Sequence, residues 1–221
     1  EPNGFKTGTV GPVLKGVEVK IADDGEILAR GPNVMKGYFK HPEWTKKIID
    51  DNGWLKTGDI GKFEDNRFLK ITDRKKEMLK TSGGKYIAPQ VLENLLKGSP
   101  FIEQVIVVGD TKNYAAALIV PNFQHLKSWS AVKRLEYNGA EKAIKTDRIV
   151  KRIREEVIKT NYHLGQTEKI KRSVLLSEPF SMEDQTLSPT LKLRRNEITK
   201  HYAQLIEDLY DGKVGIDVFD K

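Results

Sequence analysis

The sequence predicts an α+β fold in two parts: a small antiparallel β-barrel-like subdomain, followed by a domain in which a small sheet is flanked by helices. In the first 72 residues, short stretches that alternate apolar and charged residues are separated by Gly-containing turns, a pattern typical of strands. Beyond residue 72, apolar residues at helical spacing come between apolar runs of strand length, which indicates helices packed on a sheet. With 221 residues and 38% hydrophobic residues, the chain can bury a core.

The first part is predicted to consist of hairpins and one short helix. We expect strands at residues 17–22, 26–30, 60–63 and 68–72. The turn Asp24-Gly25 predicts a hairpin between the first two strands, and Glu64-Asp65-Asn66 predicts another between the last two. Residues 44–49 are predicted to form the helix, because His41-Pro42-Glu43 precedes them as a helix start and Asn52-Gly53 follows as a turn.

The second part is predicted to alternate strands and helices. We expect strands at residues 78–81, 105–108, 115–120 and 170–176. We expect helices from Pro89 to about residue 98, over most of residues 123–162 and from about residue 194 to residue 210. A glycine turn at Gly83-Gly84 and a loop over residues 179–189 connect them.

Composition excludes several classes of protein. The chain has no Cys, so it has no disulfide framework, no cysteine-based zinc site and no thiol nucleophile. No apolar run approaches the roughly 20 residues that a membrane span needs. The start, Glu1-Pro2-Asn3-Gly4, lacks the basic end and apolar stretch of a signal peptide.

The net charge of +7 lies mostly in the second part, since residues 73–221 carry 26 basic and 20 acidic side chains. Such a surplus of basic residues can bind nucleic acid, an anionic membrane or a small anionic ligand. The interspersed acidic residues favour an ordinary solvated surface, and we expect no nucleic-acid partner. Residues 73–77 are five consecutive charges, which no core is expected to absorb, and they predict a domain boundary or hinge.

Three segments carry candidate chemistry. Asp59 follows Thr57-Gly58 in a predicted turn beside a strand end, where its two acceptor oxygens could hold both hydroxyls of a ribose. The charged run and the Ser82-Gly83-Gly84-Lys85 turn suit a phosphate-bearing ligand, which glycine lets the main chain approach. Lys192 precedes the last helix in a loop stiffened by Pro189, where an ammonium group could neutralise a phosphoryl or carboxylate group.

Each segment also has an ordinary structural interpretation, and each of these is favoured when the segment is taken alone. An Asp in a turn caps backbone N–H groups. A charged run followed by glycines forms a linker and a hairpin, and Lys192 can join Arg194 and Arg195 on a solvated face.

The segments taken together, in this order, resemble the C-terminal part of the adenylate-forming superfamily, which includes acyl-CoA synthetases, luciferases and peptide-synthetase adenylation domains. The likeness is greatest to the long-chain fatty acyl-CoA synthetase branch, which also carries a long helical insert like residues 122–168. The matching motifs are Thr57-Gly58-Asp59, Asp73-Arg74-Lys75-Lys76-Glu77, Ser82-Gly83-Gly84-Lys85 with Ile87-Ala88-Pro89, and Pro189-Thr190-Leu191-Lys192.

The resemblance implies a role for each matched residue. Lys192 would be the catalytic lysine, bridging the carboxylate and the α-phosphate during adenylation. Asp59 and Arg74 would bind ATP or AMP, with Lys80 and Tyr86 as further nucleotide contacts. Lys76 would be the hinge of a rotating lid, and no residue is expected to ligate a metal. In the thioester-forming state, the segment expected to line the coenzyme A tunnel is Ser82, Gly83 and Gly84.

The resemblance also implies what the chain works with. ATP, Mg²⁺, coenzyme A and a fatty acid would be the substrates and accompanying ion of the full enzyme. Residues 1–73 would be the last β-rich subdomain of a large N-terminal domain, and residues 74–221 the C-terminal lid. The family's phosphate loop is not found in residues 1–72, so we expect a fragment that is inactive without its N-terminal partner domain. We expect a cytoplasmic location, and leave open peripheral contact with the inner membrane and a dimer of the fragment.

Two alternatives to a coenzyme A ligase are kept. The first is an acyl-adenylate ligase that loads a carrier protein. The second is a non-catalytic basic module that binds an anionic surface through a predicted helix over residues 143–159. Its basic residues are Lys145, Arg148, Lys151, Arg152, Arg154 and Lys159, interrupted by Asp147, Glu155 and Glu156.

Overall fold

The structure is a computed structural model that describes residues 4–218. The chain folds as two compact units, Glu1–Met78 and Leu79–Lys221. The units therefore divide five residues after the predicted boundary between residues 73 and 74. The predicted domain ends at residues 1 and 221 lie outside the described residues, and the assignment of the two parts to a large domain and a lid stays a prediction.

The first unit is a five-stranded antiparallel sheet with one short helix, α1 (Pro42–Ile48). Its strands are β1 (Gly11–Pro12), β2 (Glu18–Ile21), β3 (Glu26–Arg30), β4 (Leu55–Glu64) and β5 (Phe68–Arg74), in the spatial order β1-β5-β4-β3-β2. In the part of the unit that is described, β1 and β2 are open edges. The antiparallel sheet is thus confirmed, and it stays open instead of closing as a barrel.

Turn chemistry explains both hairpins of this sheet. Between β2 and β3, Gly25 adopts φ +84° and Asp24 Oδ1 accepts a hydrogen bond from the Glu26 N–H at 3.1 Å. Between β4 and β5, Asp65 and Asn66 both have positive φ, at 51° and 52°. Two consecutive left-handed residues match the right-handed twist of the flanking strands, and Asp and Asn tolerate this conformation better than most residues. Both predicted hairpins are confirmed.

The second unit has a four-stranded mixed sheet and a separate two-stranded hairpin, β6 (Leu79–Lys80) and β7 (Tyr86–Ile87). The larger sheet contains β8 (Ile102–Val108), β9 (Ala115–Pro121), β10 (Ile170–Leu175) and β11 (Ile216–Asp217), in the order β11-β10-β9-β8. β9 and β10 are parallel, and the other pairs are antiparallel. The helices are α2 (Pro89–Lys97), α3 (Phe123–Val132), α4 (Ala140–Ala143), α5 (Asp147–Asn161), α6 (Arg195–His201) and α7 (Ala203–Tyr210).

Helices cover both faces of this sheet, which explains why β9 is apolar throughout. On one face Leu92 of α2 and Ile153 of α5 are fully buried in one cluster, and on the other Ile198 of α6 and Leu209 of α7 are fully buried in a second. All seven residues of β9 are buried. The sheet is therefore the core of the unit.

Three predicted elements differ from those observed. The helical stretch at residues 123–162 is divided into α3, α4 and α5, and the basic helix expected over residues 143–159 is interrupted between α4 and α5. The last predicted helix is broken at Tyr202, which joins α6 to α7 with φ −100° and ψ 21°. The break lets Ile198 and Leu209 enter the same core cluster while the Tyr202 ring lies edge-on to Phe180.

Strands β1 and β11 were not predicted. They have two residues each, which is too few for side-chain periodicity to indicate a strand.

No helix within residues 4–218 is both long and apolar enough to cross a membrane.

Candidate functional site

Asp59 lies inside a strand, and not in a turn beside a strand end as predicted. β4 continues from Leu55 to Glu64 through Thr57 and Gly58. Gly58 adopts φ +73°, which an L-residue with a side chain avoids, and its N–H donates to Glu26 Oε1 at 2.9 Å. The pairing of β4 with both neighbours shifts close to this point. Thr57-Gly58 therefore forms an irregularity within a long strand, and not the turn that the sequence predicted.

The structure brings together two of the predicted nucleotide residues. Asp59 and Arg74 are cross-strand partners on β4 and β5, and the Arg74 Nε lies 2.8 Å from Asp59 Oδ1 as an ion pair. The Asp59 side chain is 20% exposed and that of Arg74 is 65% exposed. Asp59 Oδ1 is buried and accepts no well-aligned hydrogen bond from any residue that the structure describes. A carboxylate next to an exposed guanidinium fits a ligand that offers hydroxyls and an anionic group.

The charged run at residues 73–77 is only partly solvated. Asp73, against expectation, is fully buried, and its Oδ1 accepts a hydrogen bond from the Arg74 N–H at 2.6 Å. β5 extends through Arg74, and Lys75–Glu77 forms a single 3₁₀ turn in which no residue is buried. Lys76, the predicted hinge residue, is exposed on this turn. Asp73 is buried because it belongs to β5, where it pairs with Ile60 of β4. The charge pattern alone did not predict this burial.

The predicted glycine turn connects β6 to β7 in the second unit. The Gly84 N–H donates to the Thr81 carbonyl at 2.8 Å, and Gly84 adopts φ +76°. Ser82 connects the glycine turn to the loop between β8 and β9, because its N–H donates to the Lys112 carbonyl and its Oγ donates to Asn113 Oδ1. A Cβ built on Gly84 would meet no atom within 4 Å. The outer side of the turn is therefore open to a ligand that approaches the main chain.

Lys80 and Tyr86 lie on the same hairpin as this turn. They are direct cross-strand partners, and the Lys80 Nζ lies 5.6 Å from the centre of the Tyr86 ring. Tyr86 is 62% exposed. The two side chains form an exposed aromatic and cationic pair.

Lys192 lies at the end of a short loop that is closed by main-chain hydrogen bonds. Leu187 and Leu193 form an antiparallel bridge, and the Ser188 N–H donates to the Lys192 carbonyl at 2.8 Å. The Lys192 N–H donates to Ser188 Oγ at 3.0 Å, and Leu191 adopts φ +58°. The Lys192 side chain is exposed, and in residues 4–218 no carboxylate forms an ion pair with its ammonium group. The main chain is thus held in place while the ammonium is free to meet an anion.

A buried ion pair anchors this loop to the core, and sequence reasoning missed it. Arg195, the first residue of α6, donates from Nη2 to Glu93 Oε1 of α2 and from Nη1 to the Val107 carbonyl of β8, each at 2.7 Å. The Val107 N–H donates to the same Glu93 oxygen at 2.8 Å. Burial raises the pKa of Glu93, although the nearby Arg195 charge opposes that shift. Glu93 is a charged residue on the face of α2 that is otherwise apolar and turned to the core. This feature of the sequence could have indicated the pair.

The predicted site residues are distributed over the two units. Asp59, Arg74 and Lys76 belong to the first unit, and Lys80, Ser82, Gly83, Gly84, Tyr86 and Lys192 belong to the second. Within the described ranges, no three His, Asp or Glu side chains converge as a metal site. Each unit thus carries its own share of the predicted site residues.

Comparison with known proteins identifies the family. The family model described as the AMP-binding enzyme C-terminal domain matches residues 76–214. A putative fatty-acid–CoA ligase, fadD11 of Mycobacterium tuberculosis, is 36% identical over 220 residues, covering 99% of this chain and 38% of that protein. Human long-chain-fatty-acid–CoA ligase 6 is 35% identical over 223 residues, covering 95% of this chain and 32% of its own length. The chain therefore spans about a third of the length of these relatives.

A solved structure agrees in fold. The adenylation domain of a carboxylic acid reductase from Segniliparus rugosus, solved with AMP and a co-purified carboxylic acid, matches with a TM-score of 0.70 over 92% of this chain and 32% of that chain. Its sequence identity of 22% makes this a likeness of fold alone. The family match covers the glycine turn, the buried Glu93–Arg195 pair and Lys192, and this chain belongs to the family of AMP-binding enzyme C-terminal domains.

Proposed function

We propose that this chain is the C-terminal part of an ATP-dependent, AMP-forming long-chain fatty acid–CoA ligase. The observation that carries the proposal is Lys192, an exposed ammonium on a hydrogen-bonded loop with no ion-pair partner in residues 4–218. A free cation on an ordered support suits a reaction that joins two anions. The names of relatives that match nearly the whole chain support the substrate class.

In the first half-reaction, an oxygen of the fatty acid carboxylate attacks the α-phosphorus of ATP, and the bond to pyrophosphate breaks. Asp59 binds the ribose hydroxyls and Arg74 the nucleotide. Lys192 contacts both the carboxylate and the α-phosphate, which lowers their repulsion as they approach. The ATP phosphates would hold the accompanying Mg²⁺, which would supply neutralisation of their charge.

In the second half-reaction, the coenzyme A sulfur attacks the acyl carbonyl, the thiol proton is lost and AMP leaves. The C-terminal domain rotates about Lys76 before this step, which withdraws the Lys192 ammonium from the reacting centre. The turn at Ser82, Gly83 and Gly84 then approaches the pantetheine chain. The open side of Gly84 supports this role, because nothing within 4 Å would obstruct a thin, neutral ligand.

The two half-reactions of the complete enzyme test the role of Lys192. We expect Lys192→Ala to lower adenylation by at least about a hundredfold, the usual effect of removing one preorganised electrostatic group. Thioester formation from supplied acyl-adenylate should be unchanged. The matched control is Lys200→Ala on α6, which removes an exposed lysine that pairs with Glu197. Equal loss of both half-reactions would contradict the role of Lys192.

The chain alone should not catalyse adenylation, since the family's phosphate loop is not found in residues 1–72. ATP–pyrophosphate exchange with purified chain and fatty acid is expected to equal the blank. Exchange above the blank would show that the first half-reaction does not require an N-terminal partner domain.

The acceptor is tested separately. The complete enzyme is expected to pass the acyl group to free coenzyme A. Transfer to a carrier protein with none to coenzyme A would favour the acyl-adenylate ligase alternative.

A further inference from the structure

A cationic pocket lies between α3 and α5, apart from every residue assigned to the proposed ligase reaction. Its volume is about 240 Å³. The residues that line it are Trp129, Lys133, Leu135, Arg148, Lys151, Arg152 and Glu155. Four cations, one carboxylate and two apolar side chains thus share one small pocket.

The charges in this pocket are not balanced. Glu155 is the one acidic residue among those that line it, and it pairs with Arg152 at 3.0 Å. Arg152 also pairs with Glu156 on the same helix. Lys133, Arg148 and Lys151 have no carboxylate partner within the described part of the chain. Three uncompensated cations around one cavity repel each other, and an anion placed between them would relieve that repulsion.

One wall of the pocket is apolar and fixed. Trp129 packs edge-on against Phe101, with ring centres 5.8 Å apart, and the Arg152 guanidinium carbon lies 4.4 Å from the centre of the same Phe101 ring. The Arg152 Nε is buried and has no hydrogen-bond partner in residues 4–218. Phe101 thus packs against two residues that line the pocket, the Trp129 ring and the Arg152 guanidinium.

We propose that this pocket binds a phosphate group attached to a flat or small apolar group. A phosphate carries close to two negative charges at neutral pH, which matches three cations lining one pocket better than a single carboxylate does. Arg supplies a forked donor and Lys a point charge for its oxygens, while Trp129 and Leu135 contact the apolar part. At about 30 Å³ per water in the liquid, the pocket has the volume of about eight waters, enough for a phosphate and a ring. The ligand is either a soluble organic phosphate or the head group of a phospholipid.

Calorimetric titration of the full chain with phenyl phosphate tests the site, because this probe has a ring and a phosphate but no ribose. We expect one bound molecule per chain. The double variant Arg148→Gln/Lys151→Gln should weaken binding by at least about tenfold for each of the two charges that it removes. The matched control, Lys142→Gln/Lys145→Gln, removes the same charge from exposed positions outside the pocket and should bind as the original chain does.

Two further measurements complete the test. Trp129→Leu should weaken phenyl phosphate but leave inorganic phosphate unchanged, since only the first uses the aromatic wall. Vesicles of phosphatidylcholine and phosphatidic acid in equal parts identify the source: binding that the double variant abolishes and the control retains indicates a phospholipid head group. Phenyl phosphate binding without vesicle binding indicates a soluble organic phosphate.

The proposal is overturned if phenyl phosphate does not bind, or if the double variant and the control weaken it equally, which would indicate diffuse electrostatics. Unchanged phenyl phosphate binding by Trp129→Leu would overturn the apolar part of the assignment. None of these results depends on the proposed ligase activity.

Discussion

At the residue scale, the Glu93–Arg195 pair shows how a buried charge can position an exposed one. Arg195 follows the Lys192 loop by three residues, and its side chain is 12% exposed while that of Glu93 is 6% exposed. Two hydrogen bonds from the Arg195 guanidinium connect α6 to α2 and β8. Burial of such a pair is weak evidence for stability, but removal of one partner leaves an uncompensated buried charge. The pair therefore fixes the start of α6, three residues after Lys192, to the core of the second unit.

Arg195→Ala should destabilise the second unit by about 3 kcal/mol at neutral pH, because Glu93 would stay buried without its cation. Burial already raises the pKa of Glu93, and loss of Arg195 should raise that pKa further. The folded state then favours the protonated form, so the penalty is absent below the unfolded pKa of about 4.3 and grows as pH rises toward the folded pKa. Urea unfolding at neutral pH and near pH 4 measures this difference.

The control for this experiment is Arg194→Ala, since Arg194 is exposed and its nearest approach to Glu197 is 3.9 Å. This variant should lose no more than about 0.5 kcal/mol. A destabilisation by Arg195→Ala that is the same near pH 4 as at neutral pH would show that the buried Glu93 charge is not its cause.

At the element scale, Lys75 connects the 3₁₀ turn after β5 to the irregular part of β4. Its Nζ donates to Asp24 Oδ2 at 2.5 Å and to Glu26 Oε2 at 2.7 Å, and Glu26 in turn accepts from the Gly58 N–H. Glu26 is buried. This chain of contacts holds the segment that carries Asp59, and Lys75 was not among the predicted site residues.

Lys75→Ala should speed up amide exchange in the Gly58–Asp59 segment. It should also make the stability of the first unit depend less on pH in the acid range. The hydrogen bond from Lys75 holds the pKa of Asp24 below its ordinary value. The stability that this provides is present above the unfolded pKa of about 3.9 and is lost as pH falls through the folded pKa. Hydrogen exchange of the Gly58 and Asp59 amides and acid titration of the first unit measure the two effects.

Lys76→Ala is the neighbouring control, because Lys76 lies on the same exposed turn and no carboxylate pairs with it in the described ranges. Amide exchange and acid sensitivity should match the original chain. If Lys76→Ala loosened β4 as much as Lys75→Ala, the effect would come from the turn and not from the ion pairs.

At the scale of the whole molecule, apolar burial is concentrated in the second unit. Among the described residues, Ile27 is the only buried hydrophobic side chain in the first unit, whereas the second unit contains both core clusters. Apolar burial is the main favourable contribution to folding. The two units should therefore differ in their local stability.

We expect strand amides of β3 and β4 to exchange about a hundredfold faster than those of β8 and β9. This ratio corresponds to an opening free energy that is about 3 kcal/mol smaller in the first unit than in the second. Hydrogen exchange followed by mass spectrometry measures this on the full chain, and urea unfolding should show more than one transition. Equal protection in both sheets, with one shared transition, would contradict this difference.

The sequence by itself determined the local structure of this protein. The Asp24-Gly25 hairpin, the start of α2 at Pro89 and the glycine turn at Gly84 each depend on a few neighbouring residues, and all are observed. The motifs that predicted the family are likewise short, and the family match confirms it. Such features can be predicted because φ preferences, helix starts and side-chain periodicity act over one or two turns of chain.

Only the tertiary structure decided which charges are buried and which side chains meet. Asp73 is buried because β5 continues through it, Asp59 lies within β4, and the last helix breaks at Tyr202 to fit its core cluster. Arg195 meets Glu93 across 102 residues of sequence. Contacts of this kind depend on where distant elements pack, and the desolvation and pairing energies that select them act only once those elements are in place.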